Sequence, residues 1–175
     1  MFFDGVQAPV VYASAGQVSA IVPYGVSNIT AVAVEYQLRA SSPVTIPVAA
    51  AAPGIFAHAG TAAAIAVNQN GAMNSSAAPA ARAEIVTLFA TGEGETADGG
   101  VTGRLPEPGK WPAPAGKVEV TVGGVPAELA FVGQVAAGLL QLKLRIPSAA
   151  PEGGGVPVTL TVSGVQARTV TVALK

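Results

Sequence analysis

The run Leu140-Gln141-Leu142-Lys143-Leu144-Arg145-Ile146-Pro147 alternates apolar with polar residues and stops at a proline. Successive strand side chains point to opposite faces, so this run buries its Leu and Ile edge and leaves Gln, Lys and Arg to water. An echo lies near the other end of the chain, at Gln17-Val18-Ser19-Ala20-Ile21-Val22-Pro23. In both runs a Gln stands six residues before a Pro. The pair predicts one β-unit used twice.

The remaining segments carry the same period. Val32, Val34 and Tyr36 alternate, as do Val118, Val120 and Val122, and Val170, Val172 and Leu174. Ile85-Val86-Thr87-Leu88-Phe89-Ala90 is a strongly apolar strand, and residues 156–162 form another. Val44, Ile46 and Val48 alternate with Thr45 and Pro47. Pro47 has no N–H to give a neighbour, which assigns that run to a sheet edge. Asp4-Gly5, Gly123-Gly124 and Ser163-Gly164 read as turns, and Asn68-Gln69-Asn70-Gly71 reads as a hairpin turn because Asn-Gly tolerates positive φ. Residues 75–82 are expected to form one helical turn. Residues 49–60, Ala-rich around Pro53-Gly54, read as a crossing between two units. Residues 97–117 form a long irregular loop with the only Trp, and loops of that length are often functional.

Composition excludes several classes. Of 175 residues 50% are hydrophobic, so a core is available, while 11% are charged against about 25% in typical domains. This is not the composition of disorder. The 21 Gly and 14 Pro favour turns over long helices. Net charge is −1 with scattered basic residues, so no nucleic-acid partner is expected. No apolar run approaches the roughly 18 residues of a membrane span. There is no Cys, which removes disulfides, thiol catalysis and cysteine metal sites. Met1-Phe2-Phe3-Asp4-Gly5 has neither the basic nor the apolar region of a signal peptide, so an export signal is expected outside these residues.

The internal match extends beyond the two runs. Gly5-Val6-Gln7-Ala8 matches Gly124-Val125-Pro126-Ala127, and Tyr12 falls opposite Phe131. The match covers roughly residues 4–48 and 123–173. Strand candidates near 64–67, 85–90 and 118–122 precede the second copy, whereas the first begins almost at the motif. The first unit is therefore expected to lack leading strands and to need them from the middle segment, from upstream chain or from a neighbour. Ile21 stands where the second copy has Arg145, making it a candidate partner contact.

Several motifs resemble a known family. Phe2-Phe3-Asp4-Gly5-Val6-Gln7-Ala8-Pro9, Tyr12 and the run from Gly16 to Tyr24 are similar to its first signature. Ala52-Pro53-Gly54-Ile55-Phe56, Asn70-Gly71 and Asn74-Ser75 are similar to its middle, and Phe89-Ala90-Thr91-Gly92-Glu93-Gly94-Glu95-Thr96 to its third. The family is an uncharacterised C-terminal domain family of large exported acidobacterial proteins. The resemblance implies a module of a larger extracellular or surface protein and transfers no catalytic residue. The second unit is also similar to IPT/TIG-type immunoglobulin-like domains.

Candidate chemistry is sparse. His58 is the only His, and one His without Cys makes a poor zinc site. Glu93, Glu95 and Asp98 form the one acidic cluster. It offers oxygen ligands of the kind Ca²⁺ takes, but its spacing is not that of an EF-hand, and a solvated turn is the simpler expectation. Glu93 and Glu95 as a glycosidase pair have no other support. Gly92-x-Gly94 lacks the third Gly and following helix of a phosphate cradle. Trp111 is expected to pin its loop over a sheet, with stacking on a sugar ring as the alternative. Lys143 and Arg145 are expected on a solvated face.

The expectation is an all-β protein with little or no helix, built from two immunoglobulin-like β-sandwich units at residues 1–57 and 58–175. Its expected role is non-catalytic: assembly, spacing or attachment at the C-terminus of an exported or cell-surface protein. The alternatives are a carbohydrate- or surface-binding module using Trp111, and an extracellular subunit that assembles by strand addition. No cofactor or metal is expected. Other domains of a parent protein or like subunits are the expected partners, with a glycan as a further candidate.

Overall fold

The computed structural model describes residues 1–26 and 28–175. It is all-β, with no helix among the described residues. The first unit has eight short strands: β1 (Phe2–Phe3), β2 (Val6–Gln7), β3 (Val10–Ala13), β4 (Val18–Ala20), β5 (Ile29–Ala33), β6 (Glu35–Tyr36), β7 (Arg39–Ala40) and β8 (Val44–Pro47). One sheet runs in the order β2-β1-β5-β8, which puts β8 and its Pro47 at an edge as expected. The β3–β4 and β6–β7 pairs are separate two-stranded ribbons. Asp4 and Gly5 both take positive φ, which suits a two-residue hairpin whose twist matches its strands. Gln37 and Leu38 do the same between β6 and β7, where no Gly or Asn marks the turn.

Residues directly opposite in an antiparallel pair share a face. Phe3 stands opposite both Val6 and Val32, Val32 opposite Val44, and Thr30 opposite Ile46. These six residues therefore form one nearly apolar face.

The second unit comprises β9 (Gly54–Ile55), β10 (Ala66–Asn68), β11 (Ile85–Thr91), β12 (Val118–Val122), β13 (Val125–Pro126), β14 (Glu128–Ala136), β15 (Leu139–Arg145), β16 (Gly153–Val162), β17 (Val165–Gln166) and β18 (Val170–Leu174). One sheet runs β10-β11-β15-β14, with β9 also on β11; the other runs β13-β12-β16-β17, with β18 also on β16. The pairing of Gly54–Ile55 with Ala90 and Thr91 starts this unit's sheet ahead of residue 58. β15 lies inside the first of these sheets, between β11 and β14. Leu140, Leu142, Leu144 and Ile146 are fully buried, while Lys143 and Arg145 face out. Arg145 Nε meets Glu128 Oε2 at 3.2 Å, and Lys143 Nζ lies 5.9 Å from the Phe131 ring centre. The two inner faces meet in one core that includes Val86, Leu88, Val122, Val158 and Leu160. Burying each such side chain contributes about 1.5–3 kcal/mol. Among the described residues, none before Ala51 belongs to that core.

Residues 75–82 do not form the expected helical turn. Their backbone is engaged elsewhere: Ser75 bridges Ala78, Ala80 N–H donates to Ala173 O at 3.0 Å, and Lys175 N–H donates to Ala80 O at 2.9 Å. Pairing with the edge of β18 overrides the helix preference of the alanines. Asn74 reinforces that edge. Its Nδ2 donates to Ala173 O and its Oδ1 accepts from Ala173 N–H, at 2.9 and 2.7 Å. The side-chain amide thus makes the two bonds a strand partner would make. The expected turn at residues 68–71 forms, with Gly71 N–H donating to Asn68 O at 2.9 Å, and the Asn68 side chain, buried at the end of β10, accepts from Asn74 Nδ2 at 2.9 Å.

The two units pair in corresponding order and register. Val122 stands opposite Val125 and Val158, Val158 opposite Val170, and Val156 opposite Val172. Phe3 and Val6 correspond by count from Gly5 and Gly124, and by place in the sheet Val32, Val44, Thr30 and Ile46 correspond to Val158, Val170, Val156 and Val172, a constant 126 residues apart.

Candidate functional site

The first unit rests on the long loop of the second. Tyr24 N–H donates to Thr102 Oγ1 at 2.9 Å. The Tyr24 ring lies against Gly100, where a Cβ would come within 2.6 Å of it, and Pro9 lies against Gly103. Ile21 lies against Gly138, in the turn between β14 and β15. The connecting segment is held close as well: Ala52 N–H donates to Gly92 O at 2.8 Å. A Cβ on Gly92 or Gly94 would collide with the carbonyl oxygen of Ala52 or Ala50. Only glycine permits so close a backbone approach, and both residues also take positive φ.

Between the units lies a cleft of about 780 Å³. Phe3, Thr30 and Ile46 line it from the first sheet, Ile21 and Val22 from the chain beyond β4, and Glu93 and Gln134 from the second unit. That volume is in the range of ligand and peptide sites. The Thr30 hydroxyl is buried without a full hydrogen bond. Asp4 nearby is held below its ordinary range, chiefly by the Ala31 N–H and secondarily by Thr30.

The acidic cluster divides. Glu93 is 4% exposed, contrary to the expected solvated turn, and its Oε1 accepts from Gln134 Nε2 at 3.0 Å. Burial pushes its carboxyl above the ordinary range, against the opposing pull of its hydrogen bonds. Glu95 is exposed. Asp98 caps the loop, accepting from Thr96 Oγ1 at 2.7 Å and Gly100 N–H at 3.3 Å. The Thr96 bond is the main cause of its lowered pKa. Among the described residues no three His, Cys, Asp or Glu side chains group as metal ligands.

Trp111 lies over β14: a Cβ on Gly133 would meet the Trp111 Cβ at 2.8 Å, and Gln134 N–H donates to Pro112 O at 2.7 Å. A small hollow of about 220 Å³ within the loop is lined by Asp98, Arg104 and Lys110 among others, and Trp111 is not part of its wall. His58 is exposed on the crossing. Among the described residues no helix is long and apolar enough to cross a membrane. Thr102, Gln134 and Thr30 contribute to the site without any motif to announce them, whereas Tyr24 closes the Gly16 to Tyr24 run. The glycines at 100, 103 and 138 are the one sequence trace of these contacts.

No protein family, curated protein or solved structure matches the chain.

Proposed function

We propose that this chain is a non-catalytic interaction module of an exported or cell-surface protein, built from a duplicated immunoglobulin-like unit and serving assembly or attachment. The observation that carries the reading is the uncovered face of the first unit. Val44 is 62% exposed and Ile46 38%, whereas their counterparts Val170 and Val172 are 4% and 3% exposed. Val6, Val10, Val11 and Tyr12 add further exposed apolar surface on the same unit. Exposed apolar side chains gathered on one unit in this number are the kind of surface that interaction sites use. The matching order and register of the two units support duplication, and the resemblance to exported C-terminal domains supports the location.

The test is crosslinking in native envelope or secreted material, with photoreactive residues placed at Val44 and Val10. Adducts to another polypeptide through these positions are the expected result. Adducts confined to the second unit, or turnover of polysaccharide or ester substrates by the purified chain, would overturn the reading.

A further inference from the structure

The second unit shows what the first lacks. Its β15 is paired on both edges, with β14 on one side and β11 on the other. β4, the counterpart of β15 by the Gln-to-Pro spacing, pairs only with β3 among the described residues. The missing element is a counterpart of β11. Its absence accounts for the exposure on both layers. Val22 is 53% exposed where Ile146 is 1% exposed, and Val44 and Ile46 lie open on the facing sheet. The cleft is lined from both layers, so it is the interior that such a strand would fill.

We infer that this cleft accepts one extended segment of another polypeptide, laid antiparallel along the free edge of β4 and alternating in apolar residues as β11 does. The inference rests on the interaction-module reading and names its partner. Strand addition of this kind draws affinity from main-chain hydrogen bonds and specificity from alternate side chains. The β4 edge, from Gln17 to Val22, carries no charge that would repel an incoming strand. Two features define the occupant further. Glu95, an exposed carboxylate, lines the cleft and no Lys, Arg or His does, so the segment carries a basic residue at the end that meets it. The second unit lines the far side through Gly92, Gly94 and Gly138, and the volume of about 780 Å³ is on the scale of an extended segment rather than of a folded domain.

The probe is a synthetic peptide with the sequence of residues 85–91, given a Lys at either end, titrated into the intact chain. Expected are saturable one-to-one binding, slowed amide exchange in β4, and shifted signals at Val22 and Ile46, which line the cleft. Ile46→Asp, at a partly exposed position in the cleft wall, is expected to weaken binding at least about tenfold, the worth of one buried Ile. Ile29→Asp, on the opposite face of the same sheet, is expected to leave it unchanged. Absence of saturable binding would overturn the inference, as would protection mapped to the second unit. Self-association of the chain through β4 that excludes the peptide would overturn it in favour of a second copy. Failure of the peptide alongside persisting crosslinks at Val44 in native material would overturn the strand while leaving the module reading intact.

Discussion

Ile21 and Gly138 meet across the boundary between the units: a Cβ on Gly138 would stand 2.8 Å from Ile21 Cδ1. Arg145, the counterpart of Ile21 in the second unit, points to solvent. An apolar residue on the outer face of β4's continuation thus serves as the seat of one unit on the other.

That contact makes Gly138 doubly constrained, by φ +68 and by Ile21. Gly124 has φ +81 and nothing within 4 Å of its would-be Cβ, so it carries the conformational constraint alone. A left-handed non-glycine residue costs about 1–2 kcal/mol. Both Gly138→Ala and Gly124→Ala are expected to lower stability by that amount, but only Gly138→Ala should speed amide exchange across the first unit. Equal exchange in the two variants would show that the Ile21 seat does not couple the units.

Glu93 sets a pH dependence. Its folded pKa lies above the ordinary 4.5, so the folded state holds this proton more tightly than the unfolded chain. The associated stability is fully present below the unfolded value and is lost as pH rises through the folded value. Glu93→Gln keeps an amide partner for Gln134 and removes the titration. Urea midpoints measured from about pH 4 to about pH 7 should fall for the parent chain and stay flatter for the variant. Asp98 and Asp4, whose pKa values are lowered, act with the opposite sign in a more acidic window below 3.8.

Asn74 holds two hydrogen bonds to Ala173 and one to Asn68 in a buried setting. Asn74→Ala leaves the Ala173 N–H without a partner, while the Ala173 C=O keeps its bond from the Ala80 N–H, so one group is stranded at about 1–3 kcal/mol. A loss of about 2 kcal/mol in denaturant unfolding is expected, with fast exchange at Ala173. A loss under about 1 kcal/mol would mean that neighbouring backbone takes over the bonds.

Trp111 anchors one end of the loop over Gly133. Trp111→Ala is expected to speed proteolysis within residues 97–117 several-fold, while global stability falls by about 1–2 kcal/mol. Unchanged cleavage would mean that the Gln134 to Pro112 hydrogen bond alone holds the loop.

The strands with strict alternation were readable from sequence because burial on one face dictates it. β15 with its four buried apolar residues and β12 with Val120 and Val122 are the plainest cases. Pro47 placed β8 at an edge by its missing donor. The β6–β7 hairpin was not legible, because Gln37 and Leu38 are residues that seldom adopt positive φ. Residues 75–82 carried helix-forming alanines whose actual partner, β18, lies far away in sequence. The burial of Glu93 depends on Gln134, at the bulged end of β14, and such bulges leave no pattern. The cleft itself arises from how the units dock, through glycines that look in sequence like ordinary turn residues.

The Asn74 clamp also decides how far association can proceed. The segment around residues 61–83 covers the edge of β18 in its own molecule, stitched there by Ala63, Asn74 and Ala80. It is not free to leave and fill the cleft of a neighbouring copy. The same bonds make this segment a built-in cover for the β18 edge, which would otherwise stand open to pairing with another chain.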